Sequence, residues 1–207
     1  MDELIEKIED LKGSKIGDLV NSRINEFKDL NRKSNEELFK ELCFCILTAN
    51  FNAEKSIKIQ DEIGECFLTN SEDELAKRLK DLGHRFPNTR AQYITESLKC
   101  KDQLKKTIDS HNGERLREWI VDNVKGLGYK EASHFLRNIG FDDFAIIDFH
   151  IVDLLVRYNL IEKPKTLTRK KYLEIENLLR KIAKKSDLSL AELDLYLWYM
   201  ETGKILK

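Results

Sequence analysis

The sequence predicts an all-α protein of two helical lobes with a central cleft. Three observations lead there. Apolar residues recur at helical spacing along nearly the whole chain, and strand-like alternation is scarce. Several of these runs open on Ser-x-x-Glu, the pattern of a capped helix start. Only two prolines interrupt 207 residues.

The elements follow in chain order. Ser34-Asn35-Glu36-Glu37 has the form of a capping box and precedes the apolar run Leu38 to Leu47. Ala53 to Ile63 reads as a helix ended by Gly64. Ser71-Glu72-Asp73-Glu74 opens another, which ends near Gly83. Pro87 disfavours helix at Phe86, so His84 to Asn88 is expected to be a loop, with helix resuming from Thr89 to Cys100. Glu114 to Val124 and Tyr129 to Ile139 are helical, with Gly140 as a C-cap. Asp148 can cap a helix that runs to Tyr158. Lys170 to Ala183 is amphipathic, and Ser189-Leu190-Ala191-Glu192 starts a last helix ending near Gly203. One lobe is expected to span about Ser34 to Gly140. The segment before Ser34 and the residues from Phe141 to Lys207 would form the other.

Bulk composition excludes several classes. At 41% hydrophobic residues the chain can bury a sizeable core, and global disorder is ruled out. No apolar run approaches the roughly 20 residues of a membrane span. The acidic start Met1-Asp2-Glu3-Leu4-Ile5-Glu6 is unlike a signal peptide. The four cysteines, 43, 45, 66 and 100, contain no CxxC pair. A disulfide framework, a structural zinc and an iron–sulfur cluster are therefore not expected, and buried thiols in a reducing cytoplasm are. Net charge is −1, so any nucleic-acid binding must be local. The Lys/Arg-rich stretch from Lys163 to Lys185 reads first as a solvated helix face.

The most informative segment is Val124-Lys125-Gly126-Leu127-Gly128-Tyr129-Lys130-Glu131-Ala132. One helix ends, Gly-Leu-Gly turns the chain, and a second helix begins. Glycines at 126 and 128 permit positive φ and close approach of another backbone. Amides at the new helix start form a site for an anion such as a DNA phosphate. Lys130 falls in the first helical turn, where a cation opposes the helix dipole. That favours the free amine a nucleophile needs. On residue type alone, Lys130 could equally be an ordinary surface lysine. Asp148 follows a run of apolar residues and starts a helix. It could be only an N-cap. A carboxylate held there also stays ionised and can oppose positive charge developing on a sugar.

Gly126-Leu127-Gly128-Tyr129-Lys130-Glu131-Ala132, followed by Asp148-Phe149-His150-Ile151, resembles the motif of the helix-hairpin-helix DNA glycosylases. The resemblance implies that Lys130 attacks C1′ of a flipped nucleotide and forms a Schiff base, that Asp148 assists base departure, and that His150 contacts phosphate. Gly126 and Gly128 would bind backbone. Phe44 to Ala53, with Asn50, is similar to the family's loop that approaches the lesion strand. Leu82 to Ile94, with Arg85, Phe86 and Arg90, is similar to the segment that fills the gap left by the flipped base. Trp198 with a terminal Lys207 resembles the compact archaeal-type 8-oxoguanine DNA glycosylase/lyases, in which these two residues help enclose the base. Read from residue type alone, Trp198 is a core residue whose flat face would also stack on a purine, Phe86 is equally a loop anchor or a wedge between bases, and Lys207 is a frayed tail. The resemblance implies a monomer acting on double-stranded DNA with 8-oxoguanine, without metal or other cofactor, in the cytoplasm with the chromosomal DNA. Two other readings stand beside it. One is an endonuclease III-like enzyme for oxidised pyrimidines, against which the missing cluster cysteines argue. The other is a non-catalytic helix-hairpin-helix module, which would have no need of Lys130 with Asp148.

Overall fold

The computed structural model describes residues 1–207 as thirteen α-helices and no strand. They form two compact units, Leu30–Phe135 and the pair of segments Met1–Asp29 and Leu136–Lys207.

The first of these contains α3 (Asn35–Thr48), α4 (Ala53–Ile63), α5 (Cys66–Thr69), α6 (Glu72–Asp81), α7 (Pro87–Lys101), α8 (Leu104–Ser110), α9 (Gly113–Asn123) and most of α10 (Tyr129–Asn138). Its centre is α3. Every residue from Glu41 to Thr48 is buried, as expected of a helix apolar on all sides. Helices α4, α5, α7 and α8 pack around it, and α6 pairs with α7. Ser34 caps α3 by accepting from the Glu37 N–H, but the reciprocal half of the expected box is not made. The Glu37 carboxylate instead accepts from Lys40 at 2.7 Å. The box at Ser71 is complete. Helix α7 starts at Pro87 rather than at Thr89, with Phe86 as its N-cap. Proline has no N–H to lose at the first helical position, so it begins this helix instead of delaying it.

The other unit holds α1 (Asp2–Lys12), α2 (Lys15–Leu30, apart from its last residue), α11 (Phe149–Arg157), α12 (Arg169–Lys185) and α13 (Leu190–Thr202). Helix α13 is its centre, packed by α1, α11 and α12. The complete Ser189 capping box starts it, and Gly203, at φ +70°, ends it. After α10 the chain reverses at Gly140, whose φ is +88°. The Phe141 N–H donates to Leu136 O and the Gly140 N–H to Arg137 O, which satisfies the helix's last carbonyls. A side chain at Gly140 would press on the backbone of Phe27 and Lys28. No helix is long and apolar enough to cross a membrane.

Candidate active site and nucleic-acid interface

The hairpin lies between α9 and α10. Gly126 adopts φ +86°, and a Cβ there would run into the ring of Tyr93. Glycine is thus required twice over, by conformation and by packing. Gly128 differs from the expectation of two left-handed glycines. It has no positive φ, and a Cβ on it would meet only the Glu131 carboxylate, at an ordinary 3.5 Å. Its N–H donates to that carboxylate at 3.3 Å. Glu131 is the third residue of α10 and so supplies half of a capping box to a glycine N-cap. Lys130 stands beside it, its side chain 28% exposed and its Nζ 3.5 Å from Glu131 Oε1. Beneath the helix start, buried Arg117 lies under the Tyr129 ring and donates to Ser133 Oγ at 3.3 Å. His134, on the buried side of α10, meets Phe44 edge-on at 5.5 Å, as a packing residue does.

Two loops of the same unit carry the other expected DNA contacts. Asn50 is exposed and left-handed, φ +56°, a conformation asparagine tolerates. Arg85 is exposed, and its guanidinium stacks over the half-buried Phe86 ring at 5.0 Å. Arg90 departs from expectation. It is 7% exposed and donates to the Ala49 carbonyl, and burial lowers its pKa. A residue so placed supports the Asn50 loop. His84 joins the two loops. Its Nδ1 accepts from the Phe86 N–H at 3.0 Å, leaving Nε2 to donate to the Leu47 carbonyl at 3.1 Å. Burial lowers its pKa, which suits a neutral ring with one donor and one acceptor.

Asp148 is built into the other unit. Its carboxylate accepts from the Ile151 N–H at 3.0 Å and caps α11. The preceding residues, Phe144 to Ile147, are buried and lie outside any helix, so their backbone groups must find partners. Side chains supply them. The Glu176 carboxylate accepts from the Ala145 N–H at 3.2 Å. The Tyr172 hydroxyl donates to the Ala145 carbonyl at 2.7 Å and accepts from the Ile147 N–H at 3.3 Å. Asp194 accepts from the Ile146 N–H and, at 2.6 Å, from Arg137, whose guanidinium also donates twice to Asn138 Oδ1. Burial lifts the Asp194 carboxyl to about 6 against the pull of Arg137, and the charge of Asp148 adds to the rise. One turn beyond Asp194 on α13 lies Trp198, half-buried, with its indole N–H buried and without a hydrogen-bond partner. The His150 ring meets it edge-on at 5.2 Å and is itself covered by exposed Phe149 at 4.0 Å. Lys207 is half-buried. A cavity of about 550 Å³ opens elsewhere in this unit, beside Arg180, Lys184 and Ser189, and includes none of the expected site residues.

Asp148, His150 and Trp198 thus share one unit, while Lys130, Gly126, Gly128, Asn50, Arg85, Phe86 and Arg90 share the other. A family model described as 8-oxoguanine DNA glycosylase matches residues 20–188. The chain belongs to this family. It is 58% identical over 206 residues to the 8-oxoguanine DNA glycosylase/AP lyase of Methanocaldococcus jannaschii, covering 99% of each chain. To the protein of the same name from Korarchaeum cryptofilum it is 53% identical over 209 residues, covering 100% of this chain and 99% of that one. The crystal structure of the M. jannaschii glycosylase/lyase in complex with a 15mer DNA containing 8-oxoguanine superposes with a TM-score of 0.96. That match is at 57% identity, over 99% of this chain and 100% of the other.

Residue reading missed the supports of this glycosylase fold: His84, Glu131, Tyr172, Glu176 and the Arg137–Asp194 pair. A faint signal existed. Arg137 and Asn138 close a helix where its apolar stripe should continue, and Tyr172 and Glu176 sit one turn apart on the buried stripe of α12.

Proposed function

We infer that this glycosylase excises 8-oxoguanine from duplex DNA and cleaves the strand at the resulting abasic site. The observation that carries the reading is Lys130 in the first turn of α10, two residues after Gly128. It stands in a chain collinear over 99% of its length with a relative named for both activities. The Lys130 amine attacks C1′ as the base departs with a proton, and the carbinolamine-level adduct opens to a Schiff base. Loss of a C2′ proton then expels the 3′ phosphate by β-elimination, and hydrolysis frees the lysine. Asp148 opposes the positive charge that develops on the sugar, and its cap bond to Ile151 keeps it oriented. Trp198 and Lys207 enclose the base, a flat aromatic face being worth about 1–3 kcal/mol in stacking. His150, the hairpin amides, Asn50 and Arg85 meet the phosphate backbone. Phe86 or Arg85 fills the gap that the flipped base leaves. Arg90 acts one step back, by holding the Asn50 loop. The enzyme would work as a monomer, in the cytoplasm with the chromosomal DNA.

Borohydride reduction tests the reading directly. Incubation with an 8-oxoguanine duplex should yield a covalent protein–DNA adduct, and no adduct would refute it. Removing Lys207 should slow excision of the base but spare cleavage at a preformed abasic site, which holds no base to enclose.

A further inference from the structure

Glu131 is an anion built into the place where the hairpin should receive one. Its carboxylate makes two contacts through its two oxygens, with the Gly128 N–H at 3.3 Å and with Lys130 Nζ at 3.5 Å. Its side chain is only 15% exposed, so the arrangement is packed and not a passing surface pair. Buried Arg90 also feels its charge. The Gly128 amide is one of the donors a helix start turns toward a phosphate. A carboxylate and a phosphate cannot share that donor without like-charge repulsion.

We propose that Glu131 is the internal occupant of the hairpin's phosphate seat and a positioning residue for Lys130, exchanged for a DNA phosphate when the hairpin docks. In the free protein the carboxylate satisfies the Gly128 amide and tethers the nucleophile. Docking moves that carboxylate away from both, so backbone binding and release of the lysine occur in one step. The exchange also opposes docking on any duplex, because the departing carboxylate must be replaced. Glu131 therefore lowers affinity for undamaged DNA and leaves discrimination to the base pocket. The proposal rests on the hairpin being the DNA-binding element of the glycosylase reading.

Glu131→Gln separates the charge from the cap, since glutamine can still accept from the Gly128 N–H. Binding of an undamaged duplex is measured for wild type, Glu131→Gln and Glu114→Gln, which removes an exposed acid from α9 of the same unit. At low salt, Glu131→Gln should bind about five- to tenfold more tightly, while Glu114→Gln should change affinity by less than about twofold. Both should melt at the wild-type temperature. In wild type, the Gly128 amide resonance should move when the undamaged duplex is added, as its carboxylate partner is replaced. A Glu131→Gln variant of wild-type or weaker affinity, a gain matched by Glu114→Gln, or a Gly128 resonance indifferent to duplex would each overturn the proposal. A wild-type protein that binds no duplex at all would instead refute the glycosylase reading itself.

Discussion

Lys130 and Asp148 occupy the same kind of local position, the start of a helix, and are held there by opposite means. The α10 start is held chiefly by its own residues, with Arg117 of α9 beneath Tyr129. Gly128, Lys130 and Glu131 contact one another, and the lysine keeps a quarter of its side chain exposed. The α11 start is held from outside. Three side chains from α12 and α13, Tyr172, Glu176 and Asp194, take up the backbone groups of the segment leading to Asp148. On the proposed mechanism the lysine advances on a sugar carbon, and it is on a short local tether. On the same mechanism the carboxylate opposes charge without moving, and it is on a packed frame, as electrostatic preorganisation requires.

The largest expected effect lies on the tethered side. Lys130→Gln should abolish borohydride-trapped adducts and reduce strand cleavage by at least about 1,000-fold, with lesion binding largely intact. Trapping at the wild-type yield would remove the lysine from the chemistry and leave its tether without a catalytic purpose.

On the framed side, Asp148→Asn keeps an acceptor for the Ile151 N–H and removes the charge. Base excision should fall about 100-fold, while stability stays within about 1 kcal/mol of wild type. A folded, fully active variant would reduce Asp148 to a helix cap.

The frame itself can be loosened without touching Asp148. Tyr172→Phe leaves the Ala145 carbonyl and the Ile147 N–H without their hydroxyl partner, at a cost of about 1–3 kcal/mol in denaturant unfolding. Excision should slow with it. If Tyr172→Phe unfolds like wild type, Asp148 is held by its cap alone.

The frame should also have a pH dependence. Asp194 is raised in the folded protein, from 3.8 to about 6. Its protonated form is therefore favoured by folding. The stability it contributes is present below about pH 4 and is lost as the pH rises to about 6, by an order of 3 kcal/mol. Comparing unfolding of wild type and Asp194→Asn across that window should show the decline only in the wild type. A decline of the same size in both would assign it to other groups.

The smallest effect distinguishes the two hairpin glycines. Gly126→Ala forces a Cβ into Tyr93 at positive φ and should destabilise the fold. Gly128→Ala has room in the free protein, so its melting temperature should barely move. Binding to lesion and undamaged duplexes should weaken alike, by about threefold to tenfold, because backbone contact carries no sequence information. Loss of lesion discrimination alone in Gly128→Ala would contradict the hairpin's role.

Most helices from α3 onward, their caps and the hairpin were legible in the sequence because each is decided within about four residues, whereas α1, α2, α5 and α8 were not foreseen. Ser71, Ser189 and Asp148 cap their helices as their neighbours foretell. Pro87 shows the limit of even that reading, since the residue that disfavours helix before it is well suited to begin one. The sequence by itself thus determined an all-α chain, most of its capped helix starts and the turn at Gly126, and through resemblance it proposed the residues for the chemistry. Only the tertiary structure decided how they are held. Arg90 is turned inward to the Ala49 carbonyl, 41 residues away in sequence. The segment before Asp148 is tied by partners 25, 27 and 31 residues away and by Asp194, which is itself held by Arg137, 57 residues before it. Such partners are chosen by which buried backbone group lacks a hydrogen bond once the helices have packed. That accounting does not exist until distant parts of the chain have come together.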